Sequence, residues 1–553
     1  MNSAESVETL HGALAEIAAG HPGVSATFWS VSETVDYAEL DRRARTAAAA
    51  LVRHGITRGE PVGILCPNAP EFLVSLFGIA AAGGAATPLP LPAGARQMDG
   101  YPRKLAAIVA AAGMRTVLVS PRFADLTALL GTAVDVELLD TATLFAADAD
   151  EDRTLPALTP DDLAIVQFTS GSTAAPKGVR LTHRNVLSGL AAIRTGIALS
   201  LDDRGGFWLP LFHDMGLFGT LSAILRGIPA HIWSPVAFVK DPARWLAEFA
   251  ASGTTITAMP NFGYQALLAA VPPEQAAEFD LRHWRIAFNG SEPISLDVVA
   301  AFCARFAPAG FAPSTMFGVY GMAEATLAVA FPPLGRAPVF DWVDRAALSD
   351  NARAQQVSAR TPGARAVASV GSAVPGLRLR IVDPDDDREL PDGVVGEILI
   401  QGASVTDGYL TTAPESVAGL HTADGWLRTG DLGYLRGGEL FVTGRCKDMI
   451  TVRGVNYYAQ DVEAAVHDLD GVYKGRCTAA IDPDGTDVIA LIAETELTGP
   501  AADALGERIR AQVTARLGLA AVDVYLVAPR TIPRTSSGKL QRLAARGLIA
   551  ATR

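Results

Sequence analysis

For almost three hundred residues the chain alternates helix-spaced apolar stretches with short apolar runs that end in small or polar residues. "YAELDRRARTAAAALVRHG" has apolar residues at helical spacing and stops at Gly55, as glycine often ends a helix. "PVGILCP" reads as a buried strand, and "KLAAIVAAAGMRTVLVSP" repeats helix then strand. "DLAIVQFTSGS", "TTITAMP" and "WRIAFNGSEP" continue the series. Such alternation builds mainly parallel sheets covered by helices. Open α/β sheets take their ligands beyond the carboxyl ends of the strands, so the small and polar residues after each run are the first places to look for a site. The longest apolar run, "FLVSLFGIAAAGGAATPLPLP", is rich in Ala and Gly and ends in prolines; it predicts a buried helix, a turn and a strand rather than a membrane span.

From about residue 368 short strands separated by turn residues predict a β-rich subdomain, and after "GRCKDMITVRG" a strand, helix and strand pattern resumes. The expected fold is therefore α/β. A large N-terminal domain, 1–446, holds two α/β subdomains and a β-rich one, and a small mobile α+β domain, 447–553, follows a boundary near Lys447. With 553 residues, 49% hydrophobic and 19% charged, the chain has enough apolar residues for large cores. Residues 344–366 are polar and short of large apolar side chains, and read as the loosest stretch. A net charge of −13 argues against general affinity for nucleic acid or anionic membranes. The tail after Asp523 has only basic charges, from Arg530 to Arg553, and the simplest reading is a solvated face. The four cysteines have neither C-x-x-C nor zinc-ligand spacing, and the N-terminus has no secretory pattern; both point to a cytoplasmic protein.

The loop "FTSGSTAAPKG" resembles a P-loop but has Pro176 where that motif needs glycine before the lysine. The residues after Lys177 read as a second strand, and a helix begins only after the N-cap candidate Thr182. The loop is thus expected to join two strands, with small residues, hydroxyls and Lys177 facing an anion. Near the other end, "RTSSGK" presents Lys539 after two serines and a glycine. Two such loops in separate domains suggest one polyanion approached from two sides. "FGVYGMAEATL" places Tyr320, able to stack on a base, four residues before Glu324, able to hold Mg²⁺; a core aromatic and a helix-start acid are the plainer alternative. "LRTGDLGYL" puts Asp431 in a glycine turn, suited to ribose hydroxyls or to stabilising the turn itself. In "WLPLFHDMGLFG", His213 and Asp214 interrupt an apolar run, where packing is the simplest role.

These segments, in this order and spanning about residues 25 to 545, resemble the adenylate-forming superfamily; the finer texture is similar to fatty acyl-AMP ligases that load acyl carrier proteins. Glu324 and Gly371 lie 47 residues apart, longer than CoA ligases of the superfamily use, and "VDRAALSDNARAQQ" falls in that extra length. The resemblance implies that this insertion, about 344–366, restrains the C-terminal domain and disfavours CoA as acceptor. It implies ATP and Mg²⁺ as reactants, with Lys539 bridging carboxylate and α-phosphate, Glu324 on the metal and His213 at the acyl-pocket mouth. Thr169, Ser170, Gly171, Ser172, Thr173 and Lys177 would hold the outer phosphates. Asn289, Gly290, Ser291, Tyr320, Gly321 and Met322 would frame adenine and ribose, Asp431 and Arg445 would serve the ribose, and Lys447 would be the hinge. The acyl group would pass to the phosphopantetheine thiol of a carrier protein, expected as a separate chain because no carrier motif follows. Alternatives are an acyl- or aryl-CoA synthetase, a Walker-type NTPase, and a non-enzymatic nucleotide or carrier binder. Departures from the family pattern are Ala174, Val455 and Ala459, none of them at a catalytic group. The run around His213 and the segment Phe262 to Leu267 are the candidate walls of the acyl pocket.

Overall fold

The computed structural model describes residues 8–92, 100–131, 134–146, 154–169, 175–452, 455–481, 488–517, 522–534 and 540–552. Ser170, Gly171, Ser172, Thr173 and Lys539 lie outside the described residues.

The alternating first half folds into two seven-stranded sheets. One runs Tyr409–Leu410, Gly178–Thr182, Leu163–Phe168, Ala85–Pro88, Pro61–Leu65, Thr116–Val119, Glu137–Asp140. The other runs Met316–Gly318, Ile286–Asn289, Ile256–Met259, Gly205–Phe207, Ala230–Ile232, Ser25–Phe28, Glu33–Asp36. Neighbours are parallel except at the ends, where Leu163–Phe168, Gly178–Thr182 and Tyr409–Leu410 pair antiparallel and Ser25–Phe28 forms a hairpin with Glu33–Asp36. One continuous core joins both sheets through the helices between them. The helix Pro70–Ala81 shows why its sequence is apolar all round: every residue but Glu71 is buried. On the far side of the second sheet Trp208, Trp233, Trp245 and Trp284 build a separate aromatic core.

The loop that resembles a P-loop joins two antiparallel strands, as its sequence predicts. Phe168 pairs with Gly178, and the Thr169 amide donates to the Lys177 carbonyl at 3.2 Å. The next helix, His183–Gly196, starts at Thr182 with a capping box to Asn185.

The β-rich portion contains the antiparallel sheet Leu377–Val382, Gly396–Gly402, Leu427–Arg436, Glu439–Arg445. Asp431 stands inside the strand Leu427–Arg436, directly opposite Arg445, and not in a turn. Only Gly430 beside it has the positive φ that suggests a turn in the sequence.

The stretch 344–366, expected to be the loosest, is folded. Phe340–Asp344 pairs antiparallel with Ala364–Ala368, and the short helix Arg345–Asp350 lies between them in sequence. Val343, Leu348, Ala354 and Val367 are all buried, in one cluster with Tyr434, Phe441 and Tyr458. Leu348 and Ala354 suffice because the strand pair beside them adds Val343 and Val367 to the same cluster.

After Lys447 the chain builds its own core around Cys477–Ile481, Ile489–Glu494 and Val522–Val527 with helices Ala459–Val466 and Pro500–Leu517. The basic tail is not a uniformly solvated face. Arg542, at the start of the helix Arg542–Thr552, is inserted between Asp448 at 2.8 Å and Glu463 at 2.7 Å.

Candidate nucleotide and acyl site

A cleft of about 2220 Å³ opens at the carboxyl ends of the second sheet, and residues before and after Lys447 line it. Among the sequence candidates, Thr169, Lys177, His213, Ser291, Tyr320, Gly321, Met322, Glu324, Asp431, Arg445 and Lys447 all face it. Asn289 and Gly290 do not. Asn289 is fully buried and donates to Asn261 at 3.0 Å, and Asn261 in turn accepts from the Ser295 amide and donates to the Pro293 carbonyl. That network fixes the loop that presents Ser291, a non-glycine residue at φ 68°.

Two polar groups, each built on a buried carboxylate, dominate the wall. In the first, Asp431 accepts from the Tyr320 hydroxyl at 2.6 Å and pairs with Arg445 at 2.9 Å. The strand register sets that pair, because Asp431 and Arg445 are direct cross-strand partners. Burial, then the Asp431 charge, raises the Tyr320 phenol well above its ordinary value. The Asp431 charge raises the Arg445 pKa against desolvation. In the second group, Glu324 accepts from the Tyr409 hydroxyl at 2.6 Å. Burial lifts the Glu324 carboxyl above its usual range, and the Tyr409 bond opposes that rise. Sequence reading missed Tyr409. Nothing in "TDGYLTT" marks it, and only the pairing of Tyr409–Leu410 with Gly178–Thr182 carries it there.

Lys177 stands beside the same group, 5.8 Å from the Tyr409 ring centroid, and donates to the Ser416 carbonyl at 2.6 Å. Lys447 lies in a single 3-10 turn, Cys446–Asp448, between two strands. It is exposed, yet the protein mass around the cleft lowers its pKa, and Arg445 adds repulsion. His213 occupies the N-cap position of the helix Asp214–Ile224, with Nδ1 2.6 Å from Asp214. From there an apolar arm of the cleft runs inward between this helix and the second sheet, past Met215, Phe207 and Phe288. Phe262 also lines the cleft, whereas Tyr264 and Leu267 of the same helix are fully buried in the aromatic core.

A strand-end cleft with a buried Tyr–Asp pair joined by the exposed Arg445, a buried carboxylate and an apolar arm can take a nucleotide beside an apolar acid. A family model described as AMP-binding enzyme matches residues 14–410. The chain belongs to the AMP-binding enzyme family.

Relatives of this AMP-binding enzyme fall in line with that membership. The medium-chain fatty acid–acyl-carrier-protein ligase TtuA of Teredinibacter turnerae is 37% identical over 415 residues, 71% of this chain and 64% of that protein, so the match spans less than two thirds of TtuA. The medium-chain fatty acid–acyl-carrier-protein ligase JamA of Moorena producens is 33% identical over 530 residues, 93% of this chain and 89% of JamA. A solved chain from structural and functional studies of fatty acyl-adenylate ligases from E. coli and L. pneumophila superposes with a TM-score of 0.91 at 31% identity, covering 98% of both chains. Both the α/β fold and its small C-terminal portion follow this neighbour. Among the described residues no helix is long and apolar enough to cross a membrane.

Proposed function

We propose that this enzyme is a fatty acyl-AMP ligase. It joins a fatty carboxylate to the α-phosphate of ATP, releases pyrophosphate, and passes the acyl group to the phosphopantetheine thiol of an acyl carrier protein. The observation that carries the reading is the meeting, in one cleft, of the Tyr320–Asp431–Arg445 triad, the Glu324–Tyr409 pair and an apolar arm. The relatives' activities and the insertion support carrier protein over CoA as acceptor.

Both reactants are anions. At ~4 Å and an effective dielectric of ~20, two unit charges repel by ~4 kcal/mol. Cations must offset this where the bond forms. Lys539 takes that role at the carboxylate and α-phosphate, and Thr169, Ser170, Gly171, Ser172, Thr173 and Lys177 hold the leaving phosphates. Asp431 takes the ribose hydroxyls, oriented by Arg445, and Tyr320, Gly321, Met322 and Ser291, on the loop that Asn289 anchors from behind, frame the base. His213 guards the acyl entrance. Glu324 suits Mg²⁺. It is a buried carboxylate with one oxygen held by Tyr409, and no cluster of three or more metal-ligating side chains exists among the described residues. That poverty fits a metal that takes one or two carboxylates and completes its shell with phosphate and water. Mg²⁺ there would neutralise phosphate charge.

The domain division falls at Lys447, with 1–446 carrying both sites and 447–553 turning about the hinge between adenylation and transfer. The test is direct: ATP, a fatty-acid panel and hydroxylamine, followed by pyrophosphate release. No turnover with any medium or long acid sinks the reading. Mass spectrometry with CoA and a pantetheinylated carrier side by side decides the acceptor, and efficient acyl-CoA formation would replace the carrier with CoA.

A further inference from the structure

The apolar arm follows one face of the helix Asp214–Ile224. Met215, Gly219 and Ala223 recur every four residues, so they stand in line, and all three line the cleft. His213 to Ala223 is ten residues, a depth of ~15 Å at ~1.5 Å per residue. Across from the helix stands the strand Gly205–Phe207, whose first and last residues face the same side.

The Phe207 ring lies between strand and helix in a slot made by two glycines. A Cβ on Gly205 would sit 2.7 Å from one ring edge, Cε2, and a Cβ on Gly219 would sit 2.9 Å from the other, Cε1. Contacts that close are not tolerated, so any side chain at either position would have to displace the ring. The lining of the arm continues on both sides of it. Met215 and Phe288 lie toward the entrance, and Ala223, Ile228 and Ile256 toward the amino ends of the strands.

We propose that Phe207 sets the acyl-chain length of this enzyme. Its ring divides the arm into an outer chamber, which takes the chain as far as Gly219, and an inner chamber, which is entered only when the ring swings aside. The inference rests on the fatty-acid reading above and names the substrate class within it. Gly219 is six residues from His213, or ~9 Å along the helix. At ~1.3 Å per methylene, the projection of a ~1.5 Å C–C bond, that length holds about seven carbons. The inner chamber adds about four or five more. Medium-chain acids of about eight carbons therefore bind with the ring in place, and longer ones must displace it.

The experiment is a chain-length profile of kcat/KM for pyrophosphate release with saturated acids from four to sixteen carbons. It is run on the wild type, Phe207→Ala, Phe207→Leu and Gly219→Ala, each checked by thermal melt. In the wild type each added methylene raises kcat/KM about fourfold up to about eight carbons, and the rise then stops. In Phe207→Ala the rise continues to about twelve carbons, with a gain of at least tenfold in the twelve-to-eight-carbon ratio. Phe207→Leu moves the same way by less, and serves if the alanine variant does not fold. Gly219→Ala, whose methyl meets the ring, moves the limit toward shorter acids. A profile that only scales up or down, with its shape kept in both Phe207 variants, overturns the proposal. Calorimetric binding of the same acids separates this inference from the ligase reading. A shifted binding profile with no pyrophosphate release by the wild type upholds Phe207 and sinks the ligase, whereas pyrophosphate release with unshifted profiles does the reverse.

Discussion

Glu324 is buried and accepts from the neutral Tyr409 hydroxyl, and burial dominates its acid–base behaviour. Its carboxyl protonates above the ordinary glutamate range, and the ionised form is the one that holds a metal. The acid limb of the adenylation rate is therefore expected to lie higher in pH than a free glutamate would give, and Tyr409→Phe, which removes the opposing hydrogen bond, to move it further up; pH profiles of kcat/KM check both. Glu324→Gln is expected to lower pyrophosphate release by about a hundredfold or more, as losses of preorganised charge groups do. From the ribose role proposed for Asp431, the expected signature of Asp431→Asn is a raised KM for ATP with a smaller change in kcat. Far from the cleft, His183 is fully buried, its Nδ1 accepts from the Leu10 amide at 3.0 Å, and its pKa falls to about 4 through burial and then repulsion from His11. A histidine held below its unfolded value contributes stability above that unfolded value. The contribution is lost as pH falls from ~6.5 toward 4, and amounts to about 3 kcal/mol in all. His183→Asn keeps an acceptor and is expected to flatten the decline in melting temperature between pH 7 and 5.

At the scale of elements, the stretch 344–366 shows most plainly how the chain is tied together. Arg365, on the strand Ala364–Ala368, pairs with Asp461 at 3.2 Å, lies 4.6 Å from the Tyr458 ring centroid and donates to the Thr443 carbonyl at 2.8 Å. Both partners of the ion pair are nearly buried, so removing one leaves an uncompensated charge. Arg365→Ala or Asp461→Ala alone is expected to cost about 3 kcal/mol, and the double variant less than the sum. Urea unfolding of the four species reads the coupling directly. The sequence marks this stretch as polar, and it is. What it does not show is that Leu348, Ala354 and Val367 share one side with Tyr458 from beyond Lys447.

At the scale of the whole molecule, the proposed hinge falls in the 3-10 turn Cys446–Asp448, which carries Lys447 between two strands. Arg542 bridges to Asp448 beside that turn and to Glu463, and since all three lie in 447–553 the contact ties the last helix to its own portion of the chain. Lys447→Pro stiffens the hinge by fixing one dihedral and constraining the residue before it. The expected outcome is near-normal pyrophosphate release with transfer to a carrier thiol slowed by about tenfold or more, read by single-turnover assays of each step; equal loss in both steps would count against the hinge.

The alternating fold, the strand–loop–strand form of "FTSGSTAAPKG" and most of the polar residues in the cleft are legible in the sequence. Period, punctuation and short motifs are local properties, and local sequence encodes them. Only the tertiary structure decided that Asp431 faces Arg445 across a strand pair, that Tyr409 bonds Glu324 from 85 residues away, and that Phe207 lies between two glycines of different elements. It also turned Arg542 from an apparent surface charge into a half-buried link to Asp448 and Glu463. Each of these depends on register or on contact between segments remote in the chain. Such contacts are set by the packing of whole elements, and no run of neighbouring residues encodes them.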